Sequence, residues 1–336
     1  MVVTGARTIR LADGEDYPSG YLADEVRQAY EEFDAAGAEV VVATPGGRAP
    51  QPEPWGLEPG FHYPRVDEDF MFSVLRRFAY HPDRGRVVFA YFDRLNLVAL
   101  RRIYLALHGA GMEAGAARRT VESAAQRSWR RGTDLFEVLA ADSEVTSLLS
   151  AGRMREIGNE LSADSRANAR ETLEVLSRVP GLREPRSLGE LTDEEVLGFD
   201  AVFLPGGHGV VVDLVDDAHL GRILRLLHGA GRIVAALCHG PAALLSAPTI
   251  GGAWMFHGYQ MTAFTDLEER QNWLGTIGLP RSVETELGNR GALFDHGDAA
   301  WLSHVVIDRN LVTGQNVGSS EAVPCAVLRM LEGGLQ

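Results

Sequence analysis

Arg232–Ile233–Val234–Ala235–Ala236–Leu237–Cys238–His239–Gly240–Pro241–Ala242–Ala243–Leu244 is the stretch whose reading decides the fold. The unbroken apolar run to Leu237 predicts a strand covered on both faces, since a half-exposed strand would alternate apolar and polar residues. Pro241 suits the first position of a helix, where its missing N–H is not needed. Cys238 is therefore placed in a sharp strand-to-helix turn. That is the layout of a nucleophile elbow, which presents a side chain at the carboxyl edge of a sheet beside the N–H groups of the helix start. A structural cysteine is the alternative reading, because free cysteine often serves as a small core residue.

Working outward, Phe199–Leu204 predicts another strand, opening onto Pro205–Gly206–Gly207–His208–Gly209 and followed by a helix over Ala218–His228 that Gly229–Gly231 stops. Towards the N-terminus, Met1–Ala6 reads as the tail of a strand and Thr8–Ser19 as a loop. A helix from about Gly20 to Ala36 follows, closed by Gly37, and then a strand over Ala38–Thr44. Towards the C-terminus the pattern predicts a short strand over Met261–Phe264 and helical pieces over Leu267–Leu274 and Arg281–Leu287. A hairpin of His304–Asp308 with Asn310–Thr313 turns around Arg309, and Glu321–Leu331 is the last helix. Such alternation predicts an α/β fold with a mostly parallel sheet and helices on both faces, whose ligand site lies at the carboxyl ends of the strands. Three such ends carry candidate chemistry: the loop leading to Glu25, the Gly206–Gly209 turn, and Cys238–His239.

Between these parts the character changes. Pro50, Pro52, Pro54, Pro59 and Pro64 make residues 48 to 65 a long irregular loop. Phe70–Phe78, Leu97–His108, Ala114–Arg131, Leu135–Leu149 and Ala163–Val179 then carry apolar residues at helical spacing. Arg86–Phe92 fits a strand or a helical turn equally. The arginines at 118, 119, 127, 130 and 131 read as a solvated helix face. The expected organisation is a core of residues 1–65 and 180–336 interrupted by a mainly helical insertion, 66–179, that is either a lid or a dimer interface.

Forty-six acidic against 32 basic residues give a net charge of −14, which argues against a nucleic-acid partner. The two cysteines, Cys238 and Cys325, are too few for a disulfide scaffold, and no His/Cys cluster has zinc spacing, so no metal site is expected. Cys325, in the last helix, reads as packing. Nothing resembles a signal peptide, and no apolar run approaches the roughly 20 residues that span a bilayer. A cytoplasmic protein without a membrane partner is expected.

Three segments carry a resemblance: Asp200–Gly209 (Asp-Ala-Val-Phe-Leu-Pro-Gly-Gly-His-Gly), Ala236–Leu244, and Leu311–Asn316 (Leu-Val-Thr-Gly-Gln-Asn). In this order they resemble the ThiJ/PfpI superfamily, and more closely its heat-shock-protein-31-like branch, which includes glutathione-independent glyoxalases. The resemblance implies a flavodoxin-like three-layer α/β/α sandwich related to class I glutamine amidotransferases. It also implies a reactive cysteine, Cys238, followed by His239. Gly20–Tyr21–Leu22–Ala23–Asp24–Glu25 matches the family's spacing ahead of the first long helix, so Glu25 takes the family's carboxylate position. Counting five residues beyond Phe264 makes Glu269 the acidic partner of His239, with Glu268 as the fallback. The chain departs from the family in beginning midway through the first strand, in Val317 where a proline is usual, and in about a hundred additional residues, which leave the substrate open.

A thiol attacks carbonyls as thiolate, and the start of a helix is expected to lower its pKa. Glu25 beside it must then be neutral or share its proton with the sulfur. Backbone N–H groups of Gly207 and His239 are the expected oxyanion donors, with Gly206, Gly207 and His208 lining the substrate site and His208 at the rim; such donors contribute roughly 3 kcal/mol each. The implied reaction, a 2-oxoaldehyde such as methylglyoxal to D-lactate, needs no cofactor. A small-molecule carbonyl substrate and a homodimer are the expected partners. Two alternatives stay open: a stress-related holding chaperone or protein deglycase, and an enzyme using the same cysteine and glutamate on a larger substrate under the helical insertion.

Overall fold

The computed structural model describes residues 1–57, 96–131, 135–297 and 300–333. The expected helix Phe70–Phe78 and the ambiguous Arg86–Phe92 lie outside them. The chain divides into two compact units, Met1–Gly56 with Thr172–Gln336, and Leu57–Glu171.

The first unit is an α/β fold. Its sheet runs in the order Val305–Asp308, Leu311–Gly314, Ile233–Leu237, Ala201–Leu204; the first pair is antiparallel and the others parallel. Beyond Ala201–Leu204, the Val2 N–H donates to the Phe203 carbonyl and the Val3 N–H to the Ala43 carbonyl, each at 2.9 Å. Ala43–Thr44 in turn pairs parallel with Arg186–Ser187. The expected strands Met1–Ala6 and Ala38–Thr44 thus shrink to a single bridge at Val2 and to two residues.

Every residue of Ile233–Leu237 is buried, as a strand covered on both faces requires. Val202, Leu204, Val234, Ala236 and Leu311 share a core with Leu220, Ile223, Leu224 and Leu227 of the helix Ala218–Gly229. Phe203 points the other way, where its ring meets Phe33 of the helix Ala23–Ala35 edge-on at 5.6 Å. The final helix, Ala322–Gly333, buries Val323, Ala326 and Val327 and packs on Ile233–Leu237 and Leu311–Gly314. At about 25 cal/mol per Å2, each such aliphatic side chain contributes roughly 2 kcal/mol.

Arg309 turns the hairpin with φ 56°. The expected strand Met261–Phe264 is reduced to Gln260–Met261, and the helical pieces fall at Asp266–Gln271, Trp273–Ile277 and Val283–Asn289.

The second unit is helical where described: Asn96–Gly109, Ala114–Arg131, Leu135–Ala140, Ser143–Leu148 and most of Ala151–Arg178. Leu100, Ile103 and Leu107 form one buried stripe, and Ala117, Val121 and Ala124 another, at the spacing of a helix face. The expected helix Leu135–Leu149 is broken because the Asp142 side chain accepts from the N–H groups of Glu144 and Val145 and caps a new helix. Arg118 and Arg119 are exposed, and Arg127 pairs with Asp142 at 2.7 Å. Among the described residues no helix is long and apolar enough to cross a membrane.

Candidate active site

Cys238 follows Leu237 at the carboxyl end of its strand with φ 60°, a left-handed conformation that side chains other than glycine adopt at a cost on the order of 1 kcal/mol. Two backbone bonds hold it there: its N–H donates to the Gly314 carbonyl, and its carbonyl accepts from the Phe264 N–H, both at 2.9 Å. The segment after it, Gly240–Ser246, forms the expected helix in the tight 3-10 form.

Glu25 lies in the first turn of Ala23–Ala35, wholly buried. Its Oε2 accepts from the Gly206 N–H at 2.6 Å, and Oε1 has no hydrogen-bond partner among the described residues. A Cβ on Gly206 would come within 3.0 Å of Glu25, Cys238 and the His239 backbone, so only glycine lets the three approach. Gly207, with φ 101° and the Gly20 carbonyl where its Cβ would stand, is restricted for the same reason. Burial pushes the Glu25 carboxyl up to about 8 despite the Gly206 donor. Burial and then the Glu25 carboxylate push the Cys238 thiol well up, overturning the expected lowered pKa. A short 3-10 turn gives the sulfur too little positive potential to offset desolvation and an acidic neighbour.

On the other side of the sulfur, His239 Nδ1 lies 3.4 Å from Cys238 Sγ, and its Nε2 lies 2.9 Å from Glu269 Oε2. Phe264 stacks on the imidazole at 4.5 Å between ring centres. Glu268 turns away. Its oxygens accept from Thr265, the Trp301 N–H, Gln315 Nε2 and Asn316 Nδ2, so the fallback partner is instead the anchor of the Thr-Gly-Gln-Asn segment. Burial works against a charged Glu269, yet His239 and His208 outweigh it and hold the carboxyl down at about 2.

His208 is not at the rim. It is fully buried, its N–H donates to Glu53 Oε1 at 2.6 Å, and its Nδ1 faces the same oxygen at 3.1 Å. Gly206 is likewise no free substrate donor, because its N–H is taken by Glu25. Sequence reasoning missed Glu53, which sits in the proline-rich loop with no periodicity to mark it. Its position comes from the loop's pairing with Tyr21: the Tyr21 N–H donates to the Gln51 carbonyl and the Glu53 N–H to the Tyr21 carbonyl.

His208, His239 and Glu269 bring one potential ligand atom each within 4.8 Å of the others, the spacing at which side chains can meet on a metal ion. His239 Nε2 and His208 Nδ1 already face Glu269 and Glu53, which leaves Glu269 Oε1 as the oxygen of the cluster without a hydrogen bond among the described residues.

Residues 185–330 match the family model described as DJ-1/PfpI family. This stretch is a DJ-1/PfpI domain. The chain is 36% identical over 122 residues to a bovine (Bos taurus) protein named glutamine amidotransferase-like class 1 domain-containing protein 1, covering 36% of this chain and 54% of that one. It is 28% identical over 142 residues to glyoxalase 3 of Candida albicans, covering 40% and 59%. The chain thus spans about half the length of the curated relatives it matches. The crystal structure of glyoxalase III from Candida albicans has the same fold, with a TM-score of 0.55 at 16% identity over 98% of this chain and 94% of that one. The DJ-1/PfpI domain contains Gly206, Cys238, His239 and Glu269; Glu25 and Glu53 come from outside the matched stretch.

Proposed function

We propose that the protein is a cysteine-dependent enzyme that converts a 2-oxoaldehyde such as methylglyoxal to a 2-hydroxy acid, D-lactate in that case. The observation that carries this reading is one thiol flanked by the buried Glu25 carboxyl, which burial pushes up to about 8, and by a histidine–carboxylate couple, His239–Glu269. The relative named glyoxalase 3 supports it.

The steps balance on these side chains. His239, kept neutral by burial and by the nearby His208, takes the Cys238 proton and returns it to the aldehyde oxygen as sulfur bonds to C1, giving a hemithioacetal. Glu25, whose carboxyl burial pushes up to about 8, then acts through its ionised fraction. Its carboxylate form removes the C1 proton and returns it to C2 of the ene-diol, while the C1 hydroxyl proton passes to the C2 oxygen, so that no proton is gained or lost. C1 is thereby oxidised to a thioester while C2 is reduced to a carbinol, with no external oxidant or reductant. Water, deprotonated by His239 with Glu269 stabilising the imidazolium, adds to the thioester; C–S cleavage returns the thiol and releases the acid.

Incubating the protein with methylglyoxal and assaying D-lactate tests the reading. Absence of turnover, or turnover that survives Cys238→Ala, overturns it. Cysteine-dependent release of a carbonyl adduct from a glycated peptide, with methylglyoxal untouched, would move the substrate to a larger class on the same site.

A further inference from the structure

Behind His239 lies a second buried histidine–carboxylate couple that the proposed reaction does not use. Glu53 and His208 are both fully buried, and the Glu53 oxygens lie 3.1 and 3.3 Å from His208 Nδ1. Ser19 Oγ also donates to Glu53 at 3.3 Å. Facing carboxylate oxygens, Nδ1 carries a proton. The far nitrogen, Nε2, stands between two groups: Glu269 Oε1 at 3.6 Å and Asn272 Nδ2 at 3.2 Å. Asn272 Oδ1 accepts from the Leu274 N–H, which leaves its Nδ2 turned to the ring. Glu269 Oε1 is buried and has no hydrogen-bond partner among the described residues, while Oε2 is engaged by His239.

The two occupancies of Nε2 differ by one proton. Without it, Asn272 donates to Nε2 and the Glu269 Oε1 stays orphaned in the interior, an expensive arrangement. With it, the Nε2–H gives up the Asn272 donor at 3.2 Å, and in exchange the ring is a cation between two carboxylates, at ion-pair distance, 3.6 Å, from the orphaned oxygen. We infer that Glu53 holds His208 as an imidazolium that fixes the charge and orientation of Glu269 and keeps His239 an unprotonated acceptor for Cys238, which makes Glu53 and His208 positioning residues. The His208 and His239 rings stand only 4.3 Å apart, so a charge on the first opposes protonation of the second. Burial would lower the His208 pKa, but Glu53 and Glu269 raise it to about 10.

The inference rests on reading Cys238–His239–Glu269 as the reactive unit, but its test needs no carbonyl substrate, so absence of aldehyde turnover would overturn the reaction and leave this proposal standing. In a Cys325→Ser background, 15N NMR of the imidazoles reads the His208 proton directly, and the pH dependence of Cys238 alkylation by iodoacetamide reads its effect. Expected are a doubly protonated His208 at neutral pH that loses a proton in Glu53→Gln, and an alkylation midpoint lowered by about one pH unit in Glu53→Gln and in His208→Gln, because His239 freed of the neighbouring charge takes the Cys238 proton more readily. The double variant should move no further than either single one, as members of one couple do. A singly protonated His208 at neutral pH, unmoved midpoints, or additive shifts in the double variant would overturn the proposal. Should Glu53→Gln fail to fold, the parent spectrum and His208→Gln alone decide.

Discussion

The two sides of one sulfur differ in charge although each presents a buried glutamate. Glu25 has a single backbone donor and, among the described residues, no cation beside it, so burial wins and its carboxyl is pushed up to about 8. Glu269 is almost equally buried but faces two imidazoles, and they hold it down at about 2. Residue type therefore says little about protonation here; the neighbours within hydrogen-bond reach decide which carboxyl carries a proton and which stays an anion.

The contrast can be broken most severely at its centre. Cys238→Ala should reduce turnover of methylglyoxal at least about 1000-fold, measured as D-lactate release, because no covalent adduct forms. Glu25→Gln comes next, with an expected loss of about 100-fold or more in kcat as the group that moves the C1 proton disappears.

The same variant should be more stable than the parent. The folded chain keeps the Glu25 proton up to about pH 8, whereas the unfolded chain releases it near 4.5. The folded state therefore binds the extra proton between those values, and stability declines as pH rises through that window. Thermal unfolding of Glu25→Gln should exceed the parent's by several degrees at pH 8 and by little at pH 5. For Glu269 the sign reverses: its contribution is present above about 4.5 and is lost as pH falls towards about 2, so Glu269→Gln should unfold earlier at pH 7 with the gap closing under acid.

The pH–rate profile sharpens the comparison further. With Glu25 acting as the base, kcat should rise towards about pH 8 and then level, and a profile flat from pH 6 to about 9 would exclude Glu25 from that role. The smallest effect on turnover is expected at Glu268. Its five hydrogen bonds hold Thr265, Trp301, Gln315 and Asn316, so Glu268→Gln should lower the unfolding temperature while kcat of the folded protein stays within about threefold.

Glu268 and Glu269 also show how far sequence could be read. Both follow the Thr265 cap in one short helix, and a spacing argument alone leaves them close rivals. Successive helix positions point about 100° apart, so the strand register before the helix sends one to His239 and the other to the Gln315–Asn316 segment. Glu53 carried no signal, since an irregular loop has no period from which to infer a facing direction. His208 misled for a related reason: a turn at a strand end is normally exposed, and here a loop from another part of the chain closes over it.

The sequence by itself determined the strand that ends at Cys238, the alternation that makes a parallel sheet, and the glycines at 206 and 207 that admit close approach. Those features rest on local sterics and hydrophobic periodicity, which neighbouring residues specify. Only the tertiary structure decided which carboxyl is neutral, that the thiol is raised rather than lowered, and that Glu53 stands behind His208. Charge in an interior is set by desolvation and by groups brought from distant positions, and no local pattern encodes their sum.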